Sequence, residues 1–204
     1  MKYLKRSISC GFLIAFIVVG QADAGDANTA FMSLTGKTRP PIGHVQFCKS
    51  NPDHCNGVVG QDRSMFLTTE RWDELIRINH LVNQSVIPVS DMELYSRPEV
   101  WTFPGRYGDC EDYVLLKRHY LLEKGWPAGS LLITVVRRPD GEGHAVLTVR
   151  TDRGDFILDN LEQLVHHWTE TPYAYVKRQS SKSPKRWEGI ADARGAVGPV
   201  ASTN

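Results

Sequence analysis

Gly105-Arg106-Tyr107-Gly108-Asp109-Cys110-Glu111-Asp112-Tyr113-Val114 puts a cysteine where a loop becomes a helix. Pro104, Gly105 and Gly108 punctuate the approach. Asp109 has N-cap chemistry, and Asp112 follows at capping-box spacing. Cys110 is then the first helical residue, where free N–H groups and the positive end of the helix dipole favour a thiolate. This reading expects a thiol pKa well below about 8.5, as a nucleophile needs. A free cysteine is more commonly a small buried apolar group. Carboxylates at 109, 111 and 112 make a poor wall for an apolar pocket.

Downstream, the pattern predicts a helix from Cys110 to Lys124. Val114, Leu115, Leu121 and Leu122 face one side, with Lys117 and Arg118 on the other. Gly125 has the C′ position and Pro127 stops the helix. The period then changes from helix to strand. Leu131–Arg137, His144–Arg150 and Asp155–Asp159 read as strands joined by the turns Pro139–Gly143 and Thr151–Gly154, and Tyr173–Arg178 as a fourth. Short turns mean antiparallel hairpins. Leu161–Trp168 reads as a short helix or an irregular crossing. Upstream, Thr68 or Thr69 caps a helix reaching Ser85, with Trp72, Leu75, Ile78, Val82 and Val86 as its apolar stripe. Asn79 and Asn83, beside that stripe, read as surface or capping groups. Residues 90–104 have no period, and their Tyr95, Trp101 and Phe103 lead into the cysteine. The fold class is α+β, with N-terminal helices packed on an antiparallel β-sheet.

The chain opens with Lys2, Lys5 and Arg6, an apolar run from Ile8 to Val19, and Ala22-Asp23-Ala24. That is the pattern of a signal peptide over residues 1–24, exporting the protein to the periplasm or beyond. The competing reading is an uncleaved anchor, for which the apolar run is short. Residues 25–41 are small and polar and read as a linker. Residues 42–190 form one domain, and 191–204 have the composition of a disordered tail. The formal charge of +1 becomes −1 once Lys2, Lys5, Arg6 and Asp23 are removed, which gives no footing for a nucleic-acid partner.

Export governs the cysteines. Without Cys10, three remain: Cys48, Cys55 and Cys110. Cys48 and Cys55 bracket a polar six-residue loop, which in an oxidising compartment reads as a disulfide. The alternative is a metal site of His44, Cys48, His54 and Cys55, whose spacing fits no common zinc module. Cys110 is left as the odd thiol.

His144 opens one strand and Asp159 closes the next, so a hairpin brings them to the same end of the sheet. His144 shares a face with Val146 and Thr148, opposite Ala145 and Leu147. If the Cys110 helix crosses the sheet with its N-terminus at that edge, thiol, imidazole and carboxylate meet in the manner of a catalytic triad.

Gly-Asp-Cys-Glu-Asp-Tyr (108–113), Gly-His-Ala-Val-Leu (143–147) and Phe-Ile-Leu-Asp-Asn (156–160) resemble the bacterial transglutaminase-like cysteine peptidases, over roughly residues 45–190. The resemblance implies a papain-like fold and a Cys-His-Asp triad at Cys110, His144 and Asp159. It also implies calcium held by Asp109 and Glu111 with Asp112, oxygen ligands of the kind calcium takes. The LapG type within that family implies a protein substrate, a cell-surface adhesin, and a membrane-receptor regulator. The chain departs from that type in the Cys48–Cys55 loop and in the segment after the last strand around Trp187. The backbone N–H of Cys110 is a candidate oxyanion donor, with the Trp101 indole as a second. Two other readings stay open. One is transglutamination or deamidation through the same acyl-enzyme. The other is a non-catalytic module that binds calcium and protein.

Overall fold

The computed structural model describes residues 30–56 and 64–195. The signal-peptide stretch 1–24 and residues 196–204 of the tail lie outside the described residues. In chain order the elements are β1 (Leu34–Thr38), α1 (Ile42–Ser50), α2 (Pro52–Cys55), α3 (Thr69–Ser85), β2 (Ile87–Pro88), α4 (Asp91–Tyr95), β3 (Tyr107–Gly108) and α5 (Cys110–Glu123). There follow β4 (Leu131–Arg137), β5 (Gly143–Thr151), β6 (Gly154–Leu158), β7 (His166–His167), β8 (Ala174–Ser180) and β9 (Ser183–Ile190). Seven strands make one antiparallel sheet in the order β1-β9-β8-β4-β5-β6-β7, and β2 and β3 form a short parallel pair.

Strand alternation splits the core in two. Leu131 and Ile133 of β4, Ala145, Leu147 and Val149 of β5 and Leu158 of β6 face the helices. There they meet Leu75, Ile78 and Val82 of α3 and Val114, Leu115 and Leu121 of α5. Leu121 and Leu147 are fully buried, and each stabilises the α5–sheet contact by about 2 kcal/mol. Val136, Val146 and Ile157 point the other way, into a cluster with Trp168, Tyr173 and Tyr175. Asp155 of β6 and Arg178 of β8 form a buried ion pair at 2.8 Å across the sheet, with β4 and β5 between their strands. The helix ends follow the sequence signals: Thr68 Oγ1 accepts from the Arg71 N–H, and Gly125 takes φ 81° after α5. The Cys48–Cys55 disulfide is present and joins α1 to α2. Both sulfurs are thereby committed, and the alternative four-ligand metal reading is set aside.

Four expectations need correction. Residues 34–38, inside the stretch read as a linker, form edge strand β1 on β9, with Lys37 opposite Glu188. All five residues are exposed, so no alternation betrays the strand. β9 itself reads as polar because only Trp187 and Ile190 are buried in it. Residues 191–195 are tied down. Asp192 Oδ2 accepts from the Tyr175 N–H at 2.9 Å, and Arg194 lies over the rings of Trp168 and Tyr175. Within 161–168, His166 and His167 pair with β6 as β7, so the crossing is part strand. No helix among the described residues is long and apolar enough to cross a membrane.

The fourth correction concerns α5. Lys117 and Arg118 were expected on a solvent face, but both are buried, because α5 is covered by α3 and the aromatic segment as well as by the sheet. Arg118 Nε donates to the Leu131 carbonyl at 3.0 Å. Lys117 Nζ has no hydrogen-bond partner among the described residues and sits 6.0 Å from the Tyr113 ring centroid. Burial pulls its pKa down to about 7, against the upward pull of the Asp159 charge. An ammonium so placed costs stability. Lys117→Met is therefore expected to raise stability by about 1–2 kcal/mol, read as a higher midpoint in urea denaturation.

Candidate active site

Cys110 opens α5 and is half-buried. Its thiol donates to Glu111 Oε2 at 2.9 Å. It lines a cleft of about 660 Å³ together with His144, Ala145 and Gly143 of β5. Pro41, Ile42, Met92 and Pro98 form apolar walls, with Ile42 and Met92 well exposed. Trp101 closes the floor against α1, where a Cβ on Gly43 would come within 2.3 Å of the indole.

His144 is buried at the start of β5, on the face shared with Val146. Its Nε2 lies 2.8 Å from Asp159 Oδ1. Burial alone would raise the Asp159 pKa. The hydrogen bond and charge of His144, the Leu161 N–H and the Tyr173 hydroxyl outweigh it and hold the carboxyl below its ordinary value. The loop after β6 is fixed from α3. Asn83 Nδ2 donates to the Asp159 carbonyl at 2.9 Å, and Asn79 Nδ2 donates to the carbonyls of Glu162 and Gln163. Asn79 is fully buried. The surface reading therefore fails for Asn79, while Asn83 is half-buried and both side chains cap loop carbonyls that need donors.

The acidic cluster differs from the expected one. Oxygens of Asp91, Asp109 and Glu111 lie within 4.8 Å of one another. Asp91, at the head of α4, comes from the aperiodic segment 90–104, and its only sequence signal is the Ser90…Glu93 capping box beside it. Asp112 is not brought into this set. Its Oδ1 accepts from the Thr102 N–H at 2.9 Å, and its side chain lies so close to Gly108 that a Cβ there would come within 2.9 Å. Asp109 occupies the N-cap position but makes no side-chain cap; its Oδ2 accepts from the Asp91 N–H instead. The Asp109 carboxylate is therefore not spent on capping α5. Asp91 Oδ1 and Asp109 Oδ1 are buried without hydrogen-bond partners among the described residues. Such paired orphan oxygens suit a hard cation.

Burial, then the Asp109 charge, pushes Glu111 up to about 8. Burial also raises Asp112 to about 7 and Asp109 above its ordinary value. The Cys110 thiol is pushed well up, not down, by burial first and then by the charge and hydrogen bond of Glu111. The expectation of a thiolate fails in this state because burial, with the neighbouring acids, outweighs the helix dipole. The Trp101 indole N–H donates to Glu99 Oε2 at 3.2 Å, so it is not a free oxyanion donor. Glu99 holds a left-handed backbone, φ 59°.

The family model of the bacterial transglutaminase-like cysteine proteinases, BTLCP, matches residues 34–195. The chain belongs to this family. As a BTLCP proteinase it is a transglutaminase-like cysteine peptidase, and its substrate is protein. Similar solved structures include the following two. Legionella pneumophila LapG treated with EGTA matches at 23% identity and TM-score 0.49, over 62% of this chain and 73% of that one. Calcium-bound Legionella pneumophila LapG matches at 22% identity and TM-score 0.49, over 65% and 74%. No curated protein matches the chain.

In this BTLCP proteinase the raised carboxyls give the fold a pH slope. A carboxyl with a folded pKa above its unfolded value makes the fold take up protons. Stability from Asp112 is therefore full below about pH 4 and is lost as pH rises through about 7. Asp112→Asn keeps an acceptor for Thr102 and removes the charge. It is expected to stabilise the chelator-treated protein by on the order of 3 kcal/mol at pH 8 and hardly at pH 4, read by urea denaturation at both pH values.

Proposed function

We propose that the protein is an exported endopeptidase in which Cys110 is the nucleophile, His144 the general base and then acid, and Asp159 the carboxylate that orients His144. The observation that carries this reading is the buried His144 Nε2–Asp159 Oδ1 bond at 2.8 Å, with His144 and Cys110 lining one cleft. With Nε2–H given to Asp159, Nδ1 of the neutral imidazole is the free acceptor.

The substrate chain lies in the cleft against Ile42 and Met92, its scissile carbonyl over Cys110. His144 Nδ1 takes the thiol proton as sulfur bonds to the carbonyl carbon. The carbonyl oxygen, now an oxyanion, faces the backbone N–H of Cys110, which at N1 has no intrahelical acceptor. The imidazolium passes its proton to the leaving amine and the C–N bond breaks, leaving an acyl-cysteine. His144 then deprotonates a water that displaces the sulfur, and the acid product and thiol are restored. An exported or surface-attached protein, an adhesin among them, is the substrate class that export and the family support.

Asp91, Asp109 and Glu111 are the residues that fit calcium, Asp112 being committed to Thr102. A bound divalent cation would supply the positive charge these buried carboxylates lack.

Two measurements test the reading. His144→Ala is expected to slow iodoacetamide labelling of Cys110 at least tenfold in calcium, and Cys110→Ala to remove proteolysis. Labelling that is slow in every condition and indifferent to His144 would overturn the triad. Calcium at about 100 times its Kd is expected to stabilise the protein by about 2.7 kcal/mol in thermal unfolding, and Asp91→Asn to abolish that gain. No stabilisation of the wild-type chain would remove calcium from the proposal.

A further inference from the structure

The Asp159 carboxylate is held by more than His144. Its Oδ1 accepts from His144 Nε2 and from the Leu161 N–H at 3.0 Å. Its Oδ2 accepts from the Tyr173 hydroxyl at 2.5 Å. Tyr173 immediately precedes β8, fourteen residues beyond Asp159, and is buried. Its ring also meets the His144 imidazole edge-on, with centroids 5.6 Å apart and planes at 62°. One side chain therefore touches both the carboxylate and the imidazole.

A carboxylate rotates broadly about its terminal torsion unless both oxygens are engaged. Rotation would carry Oδ1 off Nε2 and leave the imidazole free to change tautomer or flip. The hydroxyl pins Oδ2, and the ring edge limits the flip. Apolar packing gives no reason for the hydroxyl, since a phenylalanine ring would fill the same place between Val136, Val146 and Trp168. The charged groups facing this pair from neighbouring elements are Lys117 of α5, acting on Asp159, and Arg138 beyond β4, acting on Tyr173.

We propose that Tyr173 is a positioning residue: its hydroxyl locks the Asp159 carboxylate and its ring edge locks the His144 imidazole, so that Nδ1 of His144 faces Cys110. The proposal rests on the reading of Cys110, His144 and Asp159 as a triad. It deepens that reading by assigning a role to a residue outside the three motifs.

The test is Tyr173→Phe in the full chain, which removes the donor and keeps the ring and hence the packing. In long-range proton–nitrogen NMR of ¹⁵N-histidine protein, wild-type His144 is expected to show the Nε2–H tautomer alone. In Tyr173→Phe it is expected to show a mixture. At fixed calcium and pH 7, iodoacetamide labelling of Cys110 is expected to fall roughly tenfold in Tyr173→Phe. In an Asp159→Asn background the same substitution is expected to change nothing, because the carboxylate it orients is gone. A wild-type tautomer and labelling rate in Tyr173→Phe would overturn the proposal, as would a tenfold loss that persists on top of Asp159→Asn. Labelling indifferent to His144→Ala would instead overturn the triad. The tautomer of His144 would then still decide whether Tyr173 positions it.

Discussion

The first turn of α5 is acidic and buried, and the state of the site depends on that conflict. Helix N-termini favour anions by only about 0.3–1 kcal/mol. Taking carboxylates out of water costs several times more unless they are paired. Around Cys110 the cost is met partly by backbone donors: Asp91 receives the Val100 N–H, Asp109 the Asp91 N–H and Asp112 the Thr102 N–H. Oxygens on Asp91, Asp109 and Asp112 remain buried without partners among the described residues. Upward shifts through this group follow from burial and mutual repulsion. The thiol inherits the same field, since it lies against Glu111 and beside Asp109.

The other half of the site solves the opposite problem. Asp159 is as buried as the acids of α5, yet its carboxyl is held low because three donors converge on its two oxygens. The donors come from β5, from the turn after β6 and from the residue before β8, and α3 fixes the loop from behind through Asn79 and Asn83. Burial therefore does not set the sign of a shift by itself. What decides it is whether the fold aims N–H and O–H groups at the carboxylate or other carboxylates.

This contrast also explains what was legible in the sequence. The cysteine helix, the hairpin β5–β6 and the meeting of His144 with Asp159 follow from local signals: a turn, a change of period and strand alternation. The short cysteine loop announced its disulfide. Features that depend on tertiary cover were not legible. Lys117 and Arg118 look like a solvent face until α3 and the aromatic segment are laid over α5. Asp91 has no spacing relation to Asp109, because what brings them together is the parallel pairing of β2, just before Asp91, with β3, just before Asp109. Strands β1 and β9 carry too few buried residues to alternate visibly, and their pairing is secured by backbone hydrogen bonds. Asp109 sits at a cap position, but Asp91 supplies a backbone N–H that captures its carboxylate. In each case a local rule was overridden by a partner distant in sequence.

The two halves together bias where one proton sits. Groups whose environments push their pKa values apart define acid and base assignments. The acidic side keeps the proton on the Cys110 sulfur, and the donor-rich side keeps Asp159 anionic beside His144. Neutralising Asp109 and Glu111, by protons or by a cation, removes two charges that raise the Cys110 thiol, and the groups that hold Asp159 low are others: His144, the Leu161 N–H and Tyr173. Charge at the head of α5 is thus the natural control point of this site. In the proposed triad, a positive charge placed there acts on the Cys110 thiol, while the His144–Asp159 pair is held from β5, the turn after β6 and the residue before β8.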